Sequence, residues 1–146
     1  MTLQGIYDSA ELRPITEAVC RVAEATRPFV VPISGIGILA SPATPDLLYL
    51  HLSVEKTAAL VDLYTRVKRS LAELGLRTYP YSPEEWVPHL TLATGYWSRR
   101  ELQELLRELE PDVPGCILPV AELDVNHRTA TGEWHPVARC PFEGAE

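Results

Sequence analysis

Trp86-Val87-Pro88-His89-Leu90-Thr91-Leu92-Ala93 reads as one strand. A two-residue period turns His89, Thr91 and Ala93 to one face and Leu90 and Leu92 to the other. Pro88 suits the first position of a strand, where a missing N–H costs least. An imidazole and a hydroxyl then share one face, while leucines bury the opposite face under helices. That pairing suits phosphate chemistry: the hydroxyl binds a phosphoryl oxygen and the imidazole moves a proton. A half-buried strand with polar residues turned to solvent would look the same, so the surrounding sequence has to decide.

Upstream of it, 47–54 alternates cleanly, with Tyr49, His51 and Ser53 on one face and Leu48, Leu50, Leu52 and Val54 on the other. Val and Ile fill 29–39, where Gly35 and Gly37 mark a twist, a bulge or a close backbone approach. Ser41 to Asp46 is a turn cluster. Thr2 to Ile6 reads as the end of a strand. Tyr7-Asp-Ser-Ala then leads into a helix with Ile15, Val19 and Val22 inward, ended by Pro28. A second helix over 56–74 carries an apolar stripe of Leu60, Tyr64, Val67, Leu71 and Leu74, stops at Gly75, and turns Arg66, Lys68 and Arg69 to solvent.

After the central strand, Ser98-Arg-Arg-Glu101 forms a capping box opening a helix with Leu102, Leu105, Leu106 and Leu109 inward, stopped by Pro111. A strand over 116–125 is pushed towards an edge by Pro119. Arg128 to Glu133 is a hairpin turn, 134–142 a last strand, and Glu143 to Glu146 a loose tail. Strand–helix–strand–strand therefore occurs twice, with the helix at 56–74 between. This order predicts an α+β chain, one domain over 1–146. Two similar lobes of mostly antiparallel sheet carry outer helices around a central cleft.

The formal charge of −7 gives no basic field for a nucleic-acid duplex, though a small nucleotide in a local pocket is still compatible. No apolar run approaches the ~18 residues of a membrane span, and no leader-like stretch opens the chain. Cys20, Cys116 and Cys140 lack metal-ligand spacing and read as reduced, buried thiols, which places the protein in the cytoplasm. His51, His89, His127 and His135 show no ligand pattern, so no metal site is expected. His127 and His135 read as structural or solvent-facing. Gly35-Ile-Gly37 opens no helix and is no phosphate loop. Tyr49, Trp86, Tyr96 and Trp97 are either base-stacking platforms or core and rim aromatics.

The chain resembles the two-histidine (2H) phosphoesterase superfamily, the 2′-5′ RNA ligase-like and cyclic phosphodiesterase group. The resemblance rests on Pro88-His-Leu-Thr-Leu-Ala93, on the strand pair from Phe29 to Val54, and on Glu122-Leu-Asp-Val125 with Gly132-Glu-Trp-His-Pro-Val137. In element order it covers nearly the whole chain. It implies two lobes that each bring an H-x-[ST] to a central cleft. It also implies cofactor-free, metal-independent cleavage of cyclic or 2′-5′ phosphodiesters in small nucleotides or RNA ends. One histidine would be the base and the other the acid, with two hydroxyls gripping the phosphate. His89 and Thr91 take the catalytic positions of the second motif. The physics agrees, since in-line displacement removes a proton on one side of phosphorus and delivers one on the other.

The first motif departs from the pattern, surviving only as Met1-Thr2-Leu3. Three readings follow. A strand ending in a histidine lies before Met1; or the chain is an inactive phosphate-binding or interaction module of the same fold; or His51-Leu-Ser53, 38 residues before the second motif, supplies the second imidazole. Thr2, Tyr49, His51 and Ser53 are the expected substrate contacts. The short first strand would also leave a sheet edge open to a second copy of the chain.

Overall fold

The computed structural model describes residues 1–6, 11–41, 44–109 and 115–145. Among these lie α1 (Leu12–Glu24), β1 (Phe29–Ala40), β2 (Leu48–Val54), α2 (Ala58–Glu73), β3 (His89–Gly95), α3 (Arg99–Leu109), β4 (Ile117–Val120), β5 (Glu122–Arg128) and β6 (Trp134–Pro141). The fold is α+β with antiparallel ladders, as expected. The expected turn at Tyr7-Asp-Ser-Ala, the middle of the Ser41 to Asp46 turn and the stop at Pro111 fall outside the described residues. The chain divides into two compact units that cut across the sequence repeat. One takes residues 1–2, 31–56 and 87–118, and the other takes 3–30, 57–86 and 119–146.

The first unit is built on a sheet of order β3-β2-β1-β4. Two register shifts set what each face carries. On β1, Ile33 lies opposite Val54 but Gly35 lies opposite Ser53, so Ser34 is the extra residue of a bulge. Gly35, with φ of 146°, supplies a backbone conformation closed to other residues. On β3, His51 faces Thr91 while Leu50 faces Ala93, which makes Leu92 the extra residue. Directly opposed residues share a face. One face therefore carries three rows across the strands: Gly35–Ser53–His89, Gly37–His51–Thr91 and Leu39–Tyr49–Thr94. The other carries Ile36–Leu52–Leu90 and Ile38–Leu50–Ala93. The bulge corrects two expectations. Ala93 moves to the leucine face, and Leu92, expected under a helix, is 49% exposed. Helix α3 opens with the expected capping box, Ser98 N–H donating to Glu101 Oε2 (2.7 Å) and Glu101 N–H to Ser98 Oγ (3.3 Å).

The second unit packs α1 and α2 with the β5–β6 hairpin. Ile15, Val19 and Ala23 meet Leu63, Val67 and Leu71, and these close over Leu123, Val125, Cys140 and Phe142. Helix α2 is capped by Thr57 Oγ1, which accepts from Leu60 N–H at 3.3 Å. It ends at Gly75 (φ 74°), whose N–H donates to Ala72 C=O at 2.9 Å, while Leu76 N–H reaches Leu71 C=O at 3.3 Å. Beyond it Tyr64 stacks on Trp86, ring centroids 4.3 Å apart, and both are buried. Trp86 is thus a core aromatic, whereas Tyr96 is largely exposed.

Several expectations are overturned here. Residues 2–5 form no strand; this stretch contributes the single bridge Ile6–Thr78 and a bond from Tyr79 N–H to Gly5 C=O (3.2 Å). The strand expected over 116–125 breaks at Ala121 into β4, at the edge of the first unit's sheet, and β5, which pairs with β6. Pro119 therefore occupies an edge strand, where its missing N–H is tolerated. Cys20 and Cys140 are not free thiols; they form a disulfide, and the free Cys116 is exposed rather than buried. Arg66 does not simply solvate its helix: it donates to Ala25 C=O (3.2 Å), Thr26 Oγ1 (2.8 Å) and Asp62 (2.8 Å). The tail is tied down through Ala145. Phe142 is buried against Phe29, and Glu143 N–H donates to Thr26 C=O at 2.8 Å.

Candidate phosphate-handling site on the first sheet

The approach to His89 is set by main-chain bonds. Ser82 and Glu85 close a short turn on each other, Ser82 N–H to Glu85 Oε2 (2.9 Å) and Glu85 N–H to Ser82 Oγ (3.3 Å). Val54 N–H then donates to Pro88 C=O at 3.1 Å, locking the start of β3 beside the end of β2. Val87 and His89 are two residues apart, and His89 Nδ1 lies 2.8 Å from the Val87 carbonyl oxygen. A carbonyl can only accept, so Nδ1 is the donor, and in the neutral ring Nε2 keeps its lone pair. His89 is half-buried, and Thr91, next along the same face, is exposed. A half-buried imidazole oriented at Nδ1 and an exposed hydroxyl thus sit together on one strand face.

Next to them, His51 takes an unexpected place. Expected as a substrate contact, it is 3% exposed. Its ring lies over Gly37: a Cβ built there would fall 2.7 Å from His51 Cε1, 2.8 Å from Nε2 and 3.1 Å from Ser53 Oγ. The imidazoles of His51 and His89 touch, with centroids 5.2 Å apart and planes tilted by 59°. Burial, chiefly, and the neighbouring His89 push the His51 pKa below its ordinary value, while a bond with the Leu52 main chain opposes them. His51 is therefore neutral at neutral pH.

Of the residues expected at the site, the sheet brings His89, Thr91, His51 and Ser53 into two adjacent rows. Tyr49 lies in the third row, beside Thr94, and is half-buried. Thr2 is exposed and belongs to no ladder. His127 and His135 face each other near the tip of the other unit's hairpin, both exposed. Among the described residues no group of three His, Cys, Asp or Glu side chains is placed to hold a metal ion. Two participants were hidden from the sequence. The Val87 carbonyl leaves no side-chain signal, and Gly37 announced a close approach without saying of what.

The chain is thus α+β, with an H-x-T on an antiparallel strand whose imidazole is oriented and whose hydroxyl lies alongside. The family model of the 2′-5′ RNA ligase superfamily matches residues 1–132, and the chain belongs to that superfamily. An RNA 2′,3′-cyclic phosphodiesterase of Geobacillus stearothermophilus is 25% identical over 142 residues, or 97% of this chain. The chain spans less than half, 44%, of that relative's length. The crystal structure of TT0787 of Thermus thermophilus superposes with a TM-score of 0.60 at 18% identity. That match covers 95% of this chain and 75% of the other, and supports the fold. No helix among the described residues is long and apolar enough to cross a membrane.

Proposed function

We infer that this chain acts on cyclic or 2′-5′ phosphodiesters of small nucleotides or RNA ends, with His89 moving the proton and Thr91 holding the phosphate. The observation that carries this reading is the bond from His89 Nδ1–H to the Val87 carbonyl, 2.8 Å, beside an exposed Thr91. In the neutral ring it puts the hydrogen on Nδ1 and orients Nε2 as the basic nitrogen, as a general base requires. In hydrolysis of a 2′,3′-cyclic phosphate, His89 Nε2 takes a proton from the attacking water as the new O–P bond forms. The ring P–O bond breaks, and the leaving ribose oxygen takes a proton from solvent water. Thr91 donates to a non-bridging oxygen, where negative charge builds. The family membership and the cyclic phosphodiesterase relative both favour this chemistry.

A second reading has a specific observation behind it. With His51 sealed in, His89 is the one accessible imidazole among the described residues of this sheet unit. A single proton carrier also suits a module that binds phosphodiesters without cleaving them. Incubating this polypeptide with 2′,3′-cyclic nucleotides and 2′-5′-linked dinucleotides separates the two. Turnover abolished by His89→Ala supports the enzyme, and saturable binding without turnover supports the module. With neither turnover nor binding, both readings fall.

A further inference from the structure

The contact between His51 and His89 can be read in two ways, and the geometry decides between them. In-line transfer needs the acid and the base on opposite sides of phosphorus. Two hydrogen bonds of about 2.7 Å and an O–P–O span of roughly 4 Å then part the two ring nitrogens by about 9 Å. Imidazoles with centroids 5.2 Å apart, packed directly on each other, have no room for a phosphate between them. Moreover, His51 is only 3% exposed and its Nδ1 is shut off from solvent. His51 is therefore not the opposing acid.

What remains is a ring held in a seat. Gly37 forms the floor, since any side chain there would occupy the space of Cε1 and Nε2. His89 forms the open wall. It is fixed at one atom by the Val87 carbonyl, and a single hydrogen bond still lets an imidazole swing about that bond. Contact with the His51 ring removes that freedom.

Resting on the phosphodiester reading above, we propose that His51, seated on Gly37, is a positioning residue that braces the His89 ring so that Nε2 stays aimed beside Thr91. The brace acts by shape. Its low proton affinity keeps it uncharged beside His89 at neutral pH, so contact adds no repulsion.

The test uses the full chain with three substitutions: His51→Ala, which removes the brace; His51→Phe, which keeps a ring; and Gly37→Ala, whose new methyl displaces the ring. Positioning predicts that His51→Ala lowers kcat for a 2′,3′-cyclic nucleotide by about 10-fold to 10²-fold, with KM within about threefold. His51→Phe recovers most of the loss, and Gly37→Ala reproduces it. The second readout needs no turnover. Long-range proton–nitrogen NMR of the His89 ring shows one tautomer, protonated at Nδ1, in the parent chain and in His51→Phe. In His51→Ala it shows a mixture. A His51→Ala chain with unchanged kcat and an unchanged His89 tautomer overturns the proposal. So does a His51→Phe chain as impaired as His51→Ala, since that would make the nitrogens necessary. If the parent chain has no turnover, the phosphodiester reading fails while the tautomer arm still decides whether His51 positions His89. Should His51→Ala not fold, Gly37→Ala carries both readouts.

Discussion

Arg66 offers a direct measure of how far the second unit depends on contacts between its helices. Its side chain, 28% exposed, reaches from α2 to the C-terminal end of α1, where the Ala25 carbonyl has no intrahelical donor. It donates to that carbonyl at 3.2 Å and to the buried Thr26 hydroxyl at 2.8 Å, and Asp62 holds it in place at 2.8 Å. A bond to a charged group contributes about 1.5–3 kcal/mol when well shielded. A cation at a helix C-terminus adds about 0.3–1 kcal/mol. The longer bond and the partial exposure reduce both. Thr26 keeps its own bond to Val22 C=O (2.6 Å), so truncation orphans little beyond the Ala25 carbonyl. Arg66→Ala should therefore cost roughly 1.5–3 kcal/mol in urea unfolding. With an m value of about 1.5–2 kcal/mol per molar, the midpoint falls by about 1–2 M. Arg66→Lys should lose most of this, because a compact ammonium cannot span three acceptors that Nε, Nη1 and Nη2 of the planar fork reach separately. Arg100 is the control: it also pairs along its helix, but its side chain is 87% exposed, and Arg100→Ala should stay within about 0.5 kcal/mol. Equal midpoints for Arg66→Ala and Arg100→Ala would refute the reasoning.

Three further outcomes are expected. His89→Ala should lower any phosphodiesterase turnover by roughly 10²–10⁴, whereas Thr91→Ala should weaken phosphate binding with little change in unfolding midpoint; steady-state kinetics and denaturation on the same samples check both. The depressed pKa of His51 gives stability a pH dependence of definite sign. The unfolded imidazole takes up its proton first, so this contribution is full above about pH 6.5 and declines as pH falls towards the folded pKa. Urea midpoints measured across that range should show the decline in the parent and lose part of it in His51→Phe. Alkylation of the unreduced, denatured protein followed by mass spectrometry should tag one thiol, Cys116; three tags would show that Cys20 and Cys140 are not bonded.

Periodicity exposed most of the architecture. Alternation in 47–54 and around His89 placed β2, β3 and the face shared by His89 and Thr91. The stripe through Leu60, Tyr64, Val67 and Leu71 placed α2, and the Ser98–Glu101 box opened α3. What escaped was non-local or one residue in size. Extra residues at Ser34 and Leu92 change which side chain faces which; Gly35 signalled the first, but nothing around Leu92 marks the second. A single apolar run over 116–125 cannot show that it joins two different sheets. The Cys20–Cys140 bond spans 120 residues, and Arg66 finds its acceptors 40 and 41 residues away. Likewise the site's residue types were legible, but the burial of His51 depended on a glycine in the neighbouring strand.

The extra residue at Leu92 also bears on how copies of this chain behave in concentrated solution. β3 is an outer strand of its sheet, and Thr91 through Thr94 are all exposed. A straight strand so placed would offer a second molecule an even row of hydrogen-bonding groups, a template for runaway assembly. One surplus residue puts that row out of step halfway along, so an incoming strand that matches the groups before Leu92 misses those beyond it. The irregularity that sets Thr91 and Thr94 on the histidine face also breaks the even spacing on which edge-to-edge pairing depends.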